Sequence, residues 1–406
     1  MPQAALAIES APTSPPAAGP AAAAWSPLDA VIETGAARRD EFDRLSHVPR
    51  DVIALSKQHG IYRAGTPRRF GGDALAPTAF LDMIERIATA DGSAAWVASF
   101  GSANVYLAAL PLDTQAELYA SGPDQVFAGG LFPVQPAQAA PGGWRVNGTW
   151  KFASGCKGAD WLGVGIAVPG AQDAPNKPRT AVFRAADVEI VENWSVVGMQ
   201  GTGSHDLRVN DRFVPEAWTF VRGGEATVDE PLYRYPTVAY AAQVLAVVNL
   251  GLARAALDVV NRMSGGRQTT TGAPRLADRA YFRIELAKAE AQLRSARAFF
   301  YDATDSVWQS ILAGNPVTPD QVSLLRLAAT QIAREGASVV ERAPALLRRD
   351  EQLARHRHHR AQHSLVRDVP AEQLSLDHAA TRLVAIGHRR AAARTAAARS
   401  PSARAR

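Results

Sequence analysis

The chain has a single cysteine, Cys156, in 406 residues. It therefore holds no internal disulfide and no thiolate cage for a metal, which suits a reducing compartment. Aromatics make up only 7% while hydrophobic residues reach 47%, the balance of an ordinary soluble globular protein with room for two or three domains. No stretch approaches the roughly 18 uninterrupted apolar residues of a membrane span, so no membrane partner is expected. Residues 1–24 lack the basic start and apolar centre of a signal peptide. Rich in Ala and Pro, they read as a disordered leader, and the expected compartment is the cytoplasm. Lysine is missing from Pro344 to Arg406, where 13 arginines meet 5 acidic residues for a charge of +8, while the rest of the chain carries 31 basic and 34 acidic residues. A basic tail can bind nucleic acid, but this one has no aromatic side chain to stack on a base, and no nucleic-acid partner is expected. His356, His358, His359 and His363 have no carboxylate partner in their low-complexity surroundings, so they read as a solvated run, and no metal is expected.

What is present changes period twice. Residues 25–125 read as a helical domain: Leu28, Val31, Ile32, Phe42 and Leu45 recur at helical spacing, and Val52, Ile53 and Leu55 lead to a stop at His59-Gly60. Phe80, Leu81, Ile84 and Ile87 share a face, and after the break at Asp91-Gly92-Ser93 the run Ala94 to Leu110 reads as one largely apolar, buried helix. Residues 126–225 alternate. Short strands at Leu162 to Val168, Thr180 to Phe183, Val188 to Trp194 and Leu207 to Val214 predict a small barrel or sandwich. Residues 232–343 are helical again, with a stripe of Val248, Leu252, Ala255, Val259 and Met263. A long 4-3 repeat then runs from Phe282 to Val307, and Thr318-Pro-Asp-Gln321 forms a capping box. Residues 344–406 form the basic tail. The fold class is thus α+β: an N-terminal helical domain, a central β-barrel or sandwich, and a C-terminal four-helix bundle.

Two Gly-rich stretches stand out in the β region. In Asn147 to Trp161, Asn147-Gly148 predicts a type I′ hairpin joining Trp144–Val146 to Thr149–Phe152. The small residues that follow, Ala153, Ser154, Gly155, Cys156, Gly158 and Ala159, either leave backbone and a hydroxyl open to a planar ligand or form a ligand-free bulge. Gly198-Met-Gln-Gly-Thr-Gly-Ser-His-Asp206 lacks the Gly-Lys-Ser/Thr ending of a nucleotide P-loop and leads into a strand. His205 reads equally as an exposed loop imidazole or a catalytic group.

The order of the three regions and these loops resembles the acyl-CoA dehydrogenase superfamily. Over roughly Val48 to Arg342 the chain is most similar to the oxygenase (hydroxylase) components of two-component flavin-dependent monooxygenases. The motifs that carry the resemblance are Arg69-Phe-Gly-Gly72, Asp91-Gly-Ser-Ala-Ala-Trp-Val-Ala-Ser99, Trp150-Lys-Phe-Ala-Ser-Gly-Cys156 with Asp160-Trp161, and Gly198-Met-Gln-Gly-Thr-Gly-Ser204 leading to Asp211-Arg-Phe-Val-Pro215. The resemblance implies an enzyme that uses reduced flavin, FMNH2 ahead of FADH2, and O2 through a C4a-hydroperoxyflavin to hydroxylate a small aromatic substrate. The flavin comes from a separate NAD(P)H-dependent flavin reductase, and the assembly is a homotetramer.

It also implies site residues. Ser154 stands beside flavin N5 as a catalytic group, and Trp150, Phe152, Ala153, Gly155, Gly201, Thr202, Gly203, Ser204 and Arg267 contact the cofactor. Trp96, Phe100 and Asn104 contact the substrate, Asn104 standing where phenol hydroxylases often have a histidine. His378, after Arg367-Asp368, is a second catalytic candidate. Two departures separate this chain from the dehydrogenases: Arg267-Gln268 continues as Thr269-Thr270 without the Phe-Gly of an ADP clamp, and Pro344 to Arg406 offers no glutamate base. An FAD-dependent acyl-CoA dehydrogenase is the alternative, and a non-catalytic flavin-binding or interaction protein of the same fold a second. Pro344 to His363 stands where the bundle should end and reads as a frame-displaced segment, with the frame partly restored at Leu365-Val-Arg-Asp-Val369.

Overall fold

The structure, a computed structural model, describes residues 28–169, 178–265 and 275–348; the leader, Arg267, the histidine run and His378 lie outside the described residues. Six helices come first: α1 (Asp29–Leu45), α2 (Arg50–Gln58), α3 (Pro77–Ala88), α4 (Gly92–Ala98), α5 (Asn104–Leu107) and α6 (Leu112–Leu118). Asp91 starts α4 by accepting the Ala94 N–H on its side chain at 2.7 Å. The expected single helix from Ala94 to Leu110 is instead two short helices joined by a 3-10 stretch, Ser99–Ala103. Ser99 and Ser102 donate their hydroxyls to the carbonyls of Trp96 and Ser99, each at 2.7 Å, which tightens the turns. Gly101 has to be a glycine there, because a Cβ would lie 2.1 Å from the Ile61 carbonyl oxygen.

The β region holds β1 (Phe127–Pro136), β2 (Gln138–Ala140), β3 (Gly143–Ala153), β4 (Trp161–Ala167), β5 (Arg179–Arg184), β6 (Glu189–Val191), β7 (His205–Pro215) and β8 (Thr219–Val221). They form two four-stranded sheets, in the orders β1-β4-β5-β8 and β2-β3-β7-β6. The sandwich is as expected, but the hairpin at Asn147-Gly148 is not: β3 runs straight through it and pairs with β7 along its length. The turn chemistry is used for a bulge. Val146 pairs with Arg212 and Gly148 with Val209, so Asn210 and Asp211 share the single partner Asn147. Asp211 takes a positive φ of 47°, and its N–H is accepted by the Asn147 side-chain oxygen at 3.3 Å.

The C-terminal region consists of α7 (Thr237–Ala246), α8 (Val248–Ser264), α9 (Ala280–Leu312) and α10 (Pro319–Arg348). Only Val247 separates α7 from α8, and together Thr237–Ser264 is long and apolar enough to cross a membrane; 72% of its most apolar window is buried inside the protein, which makes it a core element of the bundle. The expected stripe on α8 is displaced. Ala256, Leu257 and Val260 are buried, whereas Ala255 and Val259 are only half-buried and Met263 is 38% exposed, as α8 packs between α3 and α10. The α9 repeat is buried from Phe282 to Val307, apart from the partly covered Leu286. The capping box at α10 forms: Thr318 N–H donates to Gln321 Oε1 at 2.9 Å, and Gln321 N–H to Thr318 Oγ1 at 3.2 Å. Gly251 lets α8 approach α3, since a Cβ there would sit 2.3 Å from the Glu85 carbonyl oxygen. Glu85 itself accepts from Arg297 Nε at 2.7 Å and Tyr301 OH at 2.6 Å on α9, tying bundle to N-terminal helices.

Candidate active site

A second bulge builds the site. Trp150 pairs with Leu207 and Ala153 with His205, so Lys151 and Phe152 face one residue, Asp206. Phe152 absorbs the extra length with a φ of 60°, a left-handed conformation costing roughly 1–2 kcal/mol for a residue with a Cβ. The strain turns its ring toward a cavity between the sandwich and the helices α4 and α5, and Trp194 braces it edge-on at 6.2 Å between ring centres. His205 braces Trp194 in turn, its Nδ1 accepting the Trp194 N–H at 3.1 Å. His205 is thus a buried imidazole and not an exposed loop residue; it does not line the cavity, and burial holds its pKa below the ordinary value.

The two Gly-rich loops are joined at this point. Gly155 N–H donates to the Thr202 carbonyl at 2.8 Å, and Cys156 Sγ reaches the Gly203 carbonyl at 3.5 Å. Burial pushes the Cys156 thiol up to about 12, so it stays protonated and unreactive. Three buried hydroxyls complete the link: Ser154 to Ser204 at 2.7 Å and Ser204 to Thr202 at 2.8 Å, with Thr202 donating to the Met199 carbonyl at 2.8 Å. Each hydroxyl has one proton. With Thr202's given to Met199, Ser204 donates to Thr202 and Ser154 donates to Ser204. Ser154 lines the cavity and presents it with lone pairs only.

The cavity spans about 900 Å³ of empty space including its open mouth. Its walls are largely aromatic: Trp96, Phe100, Phe127, Phe152 and Phe220, with Gly129 and Gly163 giving flat stretches of backbone. Four polar residues join Ser154 in the lining: Tyr106, Lys151, Thr180 and Arg222. Arg222 donates from Nη2 to Tyr106 OH at 3.1 Å and lies 4.9 Å over the same ring. Tyr106 passes its own proton to the Thr237 carbonyl at 3.3 Å. Among the described residues Arg222 meets no carboxylate, exposed Lys151 has no ion-pair partner, and the buried Thr180 hydroxyl has no hydrogen-bond partner.

Of the residues expected at the site, Ser154, Phe152, Trp96 and Phe100 line the cavity, and Gly155, Thr202 and Ser204 support Ser154 from behind. Trp150 does not face it: its ring is fully buried in the sandwich and Nε1 donates to the Gly165 carbonyl at 2.7 Å, because the residue before the bulge keeps the inward side of the strand. Ala153 is buried opposite His205. Gly201 and Gly203 press on α1 and the turn that follows it, where a Cβ would come within 2.8 Å of Phe42 Cβ and His47 Cβ respectively. Asn104 points away from the cavity; its amide donates to the Tyr62 and Gln125 carbonyls and to Thr66 Oγ1 at 2.7, 3.1 and 3.0 Å. Tyr240 is buried core packed edge-on against Tyr235. Sequence reasoning missed Arg222, Lys151 and Thr180. Nothing in the sequence sets them apart: Arg222 follows an apolar strand, but Glu225 stands only three residues on.

The arrangement fits a reduced isoalloxazine ring: flat aromatic and glycine walls for its faces, and an acceptor-only serine for a ring N–H. Residues 243–347 match the family model for the acyl-CoA dehydrogenase C-terminal domain. The chain is 54% identical to an indole-3-acetate monooxygenase of Pseudomonas putida over 84% of this chain and 86% of that one. It is 33% identical to the FADH(2)-dependent resorcinol hydroxylase, oxygenase component, of a Rhizobium species over 61% of this chain and 64% of that one. The solved structure of XiaF from Streptomyces sp. in complex with FADH2 and glycerol is similar in fold, with a TM-score of 0.76 at 20% identity over 87% of this chain and 91% of that chain.

Proposed function

The chain belongs to the oxygenase components of two-component flavin-dependent monooxygenases, which share the acyl-CoA dehydrogenase fold, and on that premise we propose that it hydroxylates an arylacetic acid of the indole-3-acetate type. It is a monooxygenase working with reduced flavin, and membership implies a separate flavin reductase as supplier. For the flavin itself we favour FMNH2, because the sequence after Arg267 departs from the pattern that clamps the ADP half of FAD. The observation that carries the substrate proposal is the 54% identity to a monooxygenase named for indole-3-acetate. An aromatic cavity with an unpaired cation suits such an acid.

Bound reduced flavin supplies the electrons that activate dioxygen, so that one oxygen atom enters the substrate and the other leaves as water. The chain's own residues do the rest. Trp96, Phe100, Phe152 and Phe220 close the space to water and set the plane in which aromatic rings stack. Ser154 would accept a ring N–H of the flavin, and because Ser204 and Thr202 fix its proton inward, it has none to give away at that point.

The test supplies reduced FMN from a separate flavin reductase with NADH and ¹⁸O₂, using indole-3-acetate as acceptor. Product carrying one ¹⁸O atom is expected. Stoichiometric hydrogen peroxide with no labelled product would sink the substrate assignment.

A further inference from the structure

We infer that Arg222 holds the carboxylate of the substrate and thereby selects arylacetic acids over their neutral counterparts, an inference that rests on the substrate class proposed above. Arg222 follows β8 and is half-buried. Nearby arginines on the same sheet are paired, Arg179 with Glu216 at 2.7 Å and Arg184 with Glu117 at 3.4 Å. Arg222 has an aromatic ring and a phenol oxygen instead, both from Tyr106. A guanidinium taken out of water without a counter-ion is unfavourable unless something else brings the charge. Here the rest of the lining holds no carboxylate, so the counter-ion has to come with the ligand.

The geometry favours a planar anion. Tyr106 takes one N–H of Nη2 and covers one face of the guanidinium. Among the described residues the remaining N–H donors of the fork have no side-chain acceptor and stay free for a two-oxygen ligand, the arrangement in which Arg binds carboxylates most strongly. Because Tyr106 OH is itself anchored on the Thr237 carbonyl at the start of α7, the cation is held in place before any ligand arrives. Thr180 is an independent sign that this wall awaits a polar ligand. Its hydroxyl is buried, lines the same cavity and has no partner among the described residues. Lys151 is the other cation of the lining, but it is exposed, and a hydrated ammonium on a flexible stem discriminates weakly.

The experiment is equilibrium dialysis under anaerobic conditions with saturating reduced FMN, so that nothing turns over. It compares indole-3-acetate with its neutral isostere indole-3-acetamide on the wild type, Arg222→Gln and Arg222→Lys. The wild type is expected to prefer the acid by roughly 10–100-fold, the scale of a charge-assisted hydrogen-bond pair. Arg222→Gln should erase that preference while binding the amide within about twofold of wild type, and Arg222→Lys should restore part of it. If the wild type binds neither compound, the substrate class itself fails. Should the wild type bind the acid with a preference that Arg222→Gln retains, the class stands and Arg222 is wrongly assigned. A separate titration of FMN against riboflavin covers the other anion in reach: a loss of FMN preference in Arg222→Gln, with the acid preference intact, would give the arginine to the cofactor's phosphate and overturn the inference. Where Arg222→Gln loses both indoles and FMN together, Arg222→Lys decides, and a lysine variant that binds FMN normally with unchanged acid preference also overturns it.

Discussion

Two patches of one cavity wall treat polar groups in opposite ways. Around Ser154 every hydroxyl proton has a protein acceptor, in a line that ends on the Met199 carbonyl. Around Arg222 the protein supplies a ring and a phenol but no negative charge among the described residues. Even the single turn of α5 shows the contrast: Asn104 divides its two amide protons among three protein acceptors, although its Oδ1 has no partner among the described residues, and Tyr106, two residues on, faces the cavity. A closed network contributes to stability and fixes one orientation, whereas an open one gives up stability for affinity. The first kind suits a cofactor whose shape is constant, the second a substrate that must be told from its relatives.

Variants on each side should move different observables. The largest effect is expected from Asn104→Ala, which leaves the acceptors of Tyr62, Thr66 and Gln125 without a donor and should cost about 3 kcal/mol of stability. A urea midpoint within error of wild type would show that the network is not closed there. Next comes Ser204→Ala, which removes the middle of the hydroxyl line and should cost about 2 kcal/mol, with weaker binding of reduced flavin as a second consequence. If thermal unfolding is unchanged but flavin binding is lost, the hydroxyls belong to the open class after all. The smallest effect is expected on the open side. Lys151→Ala should change stability by less than about 0.5 kcal/mol, since the side chain is exposed and lacks an ion-pair partner. It should nevertheless slow association with the acid at low ionic strength, a difference that stopped-flow mixing at high salt ought to abolish.

How much of this was legible beforehand depended on the period of the element. Helical spacing located α1, α2, α3 and α9, and the Thr318/Gln321 box marked the start of α10, because caps and apolar stripes are local properties of the chain. The α8 stripe was displaced by one position, since which of two adjacent rows is buried depends on where α3 and α10 dock. The strands were found but their joints were misjudged. Asn147-Gly148 has the chemistry of a tight turn, and the partner strand β7 turned it into a bulge. Trp150 and Phe152 look equivalent in sequence, being two apart on one strand; the left-handed φ at Phe152 sends one ring into the core and the other to the cavity. Ser154, Thr202 and Ser204 could be grouped only through a family resemblance. Arg222 could not be found at all, for a missing counter-ion is a statement about surroundings and not about neighbours in sequence.

The near-continuous pair α7–α8 has a consequence in time. Translation delivers Thr237–Ser264 well before Pro319–Arg348, the helix that packs on it. In that interval the nascent chain displays a stretch as apolar as a membrane anchor with α3 already made but the α10 side of its cover still missing, and such exposure invites aggregation or chaperone capture. The last described helix is therefore the one on whose arrival the solubility of the growing chain depends.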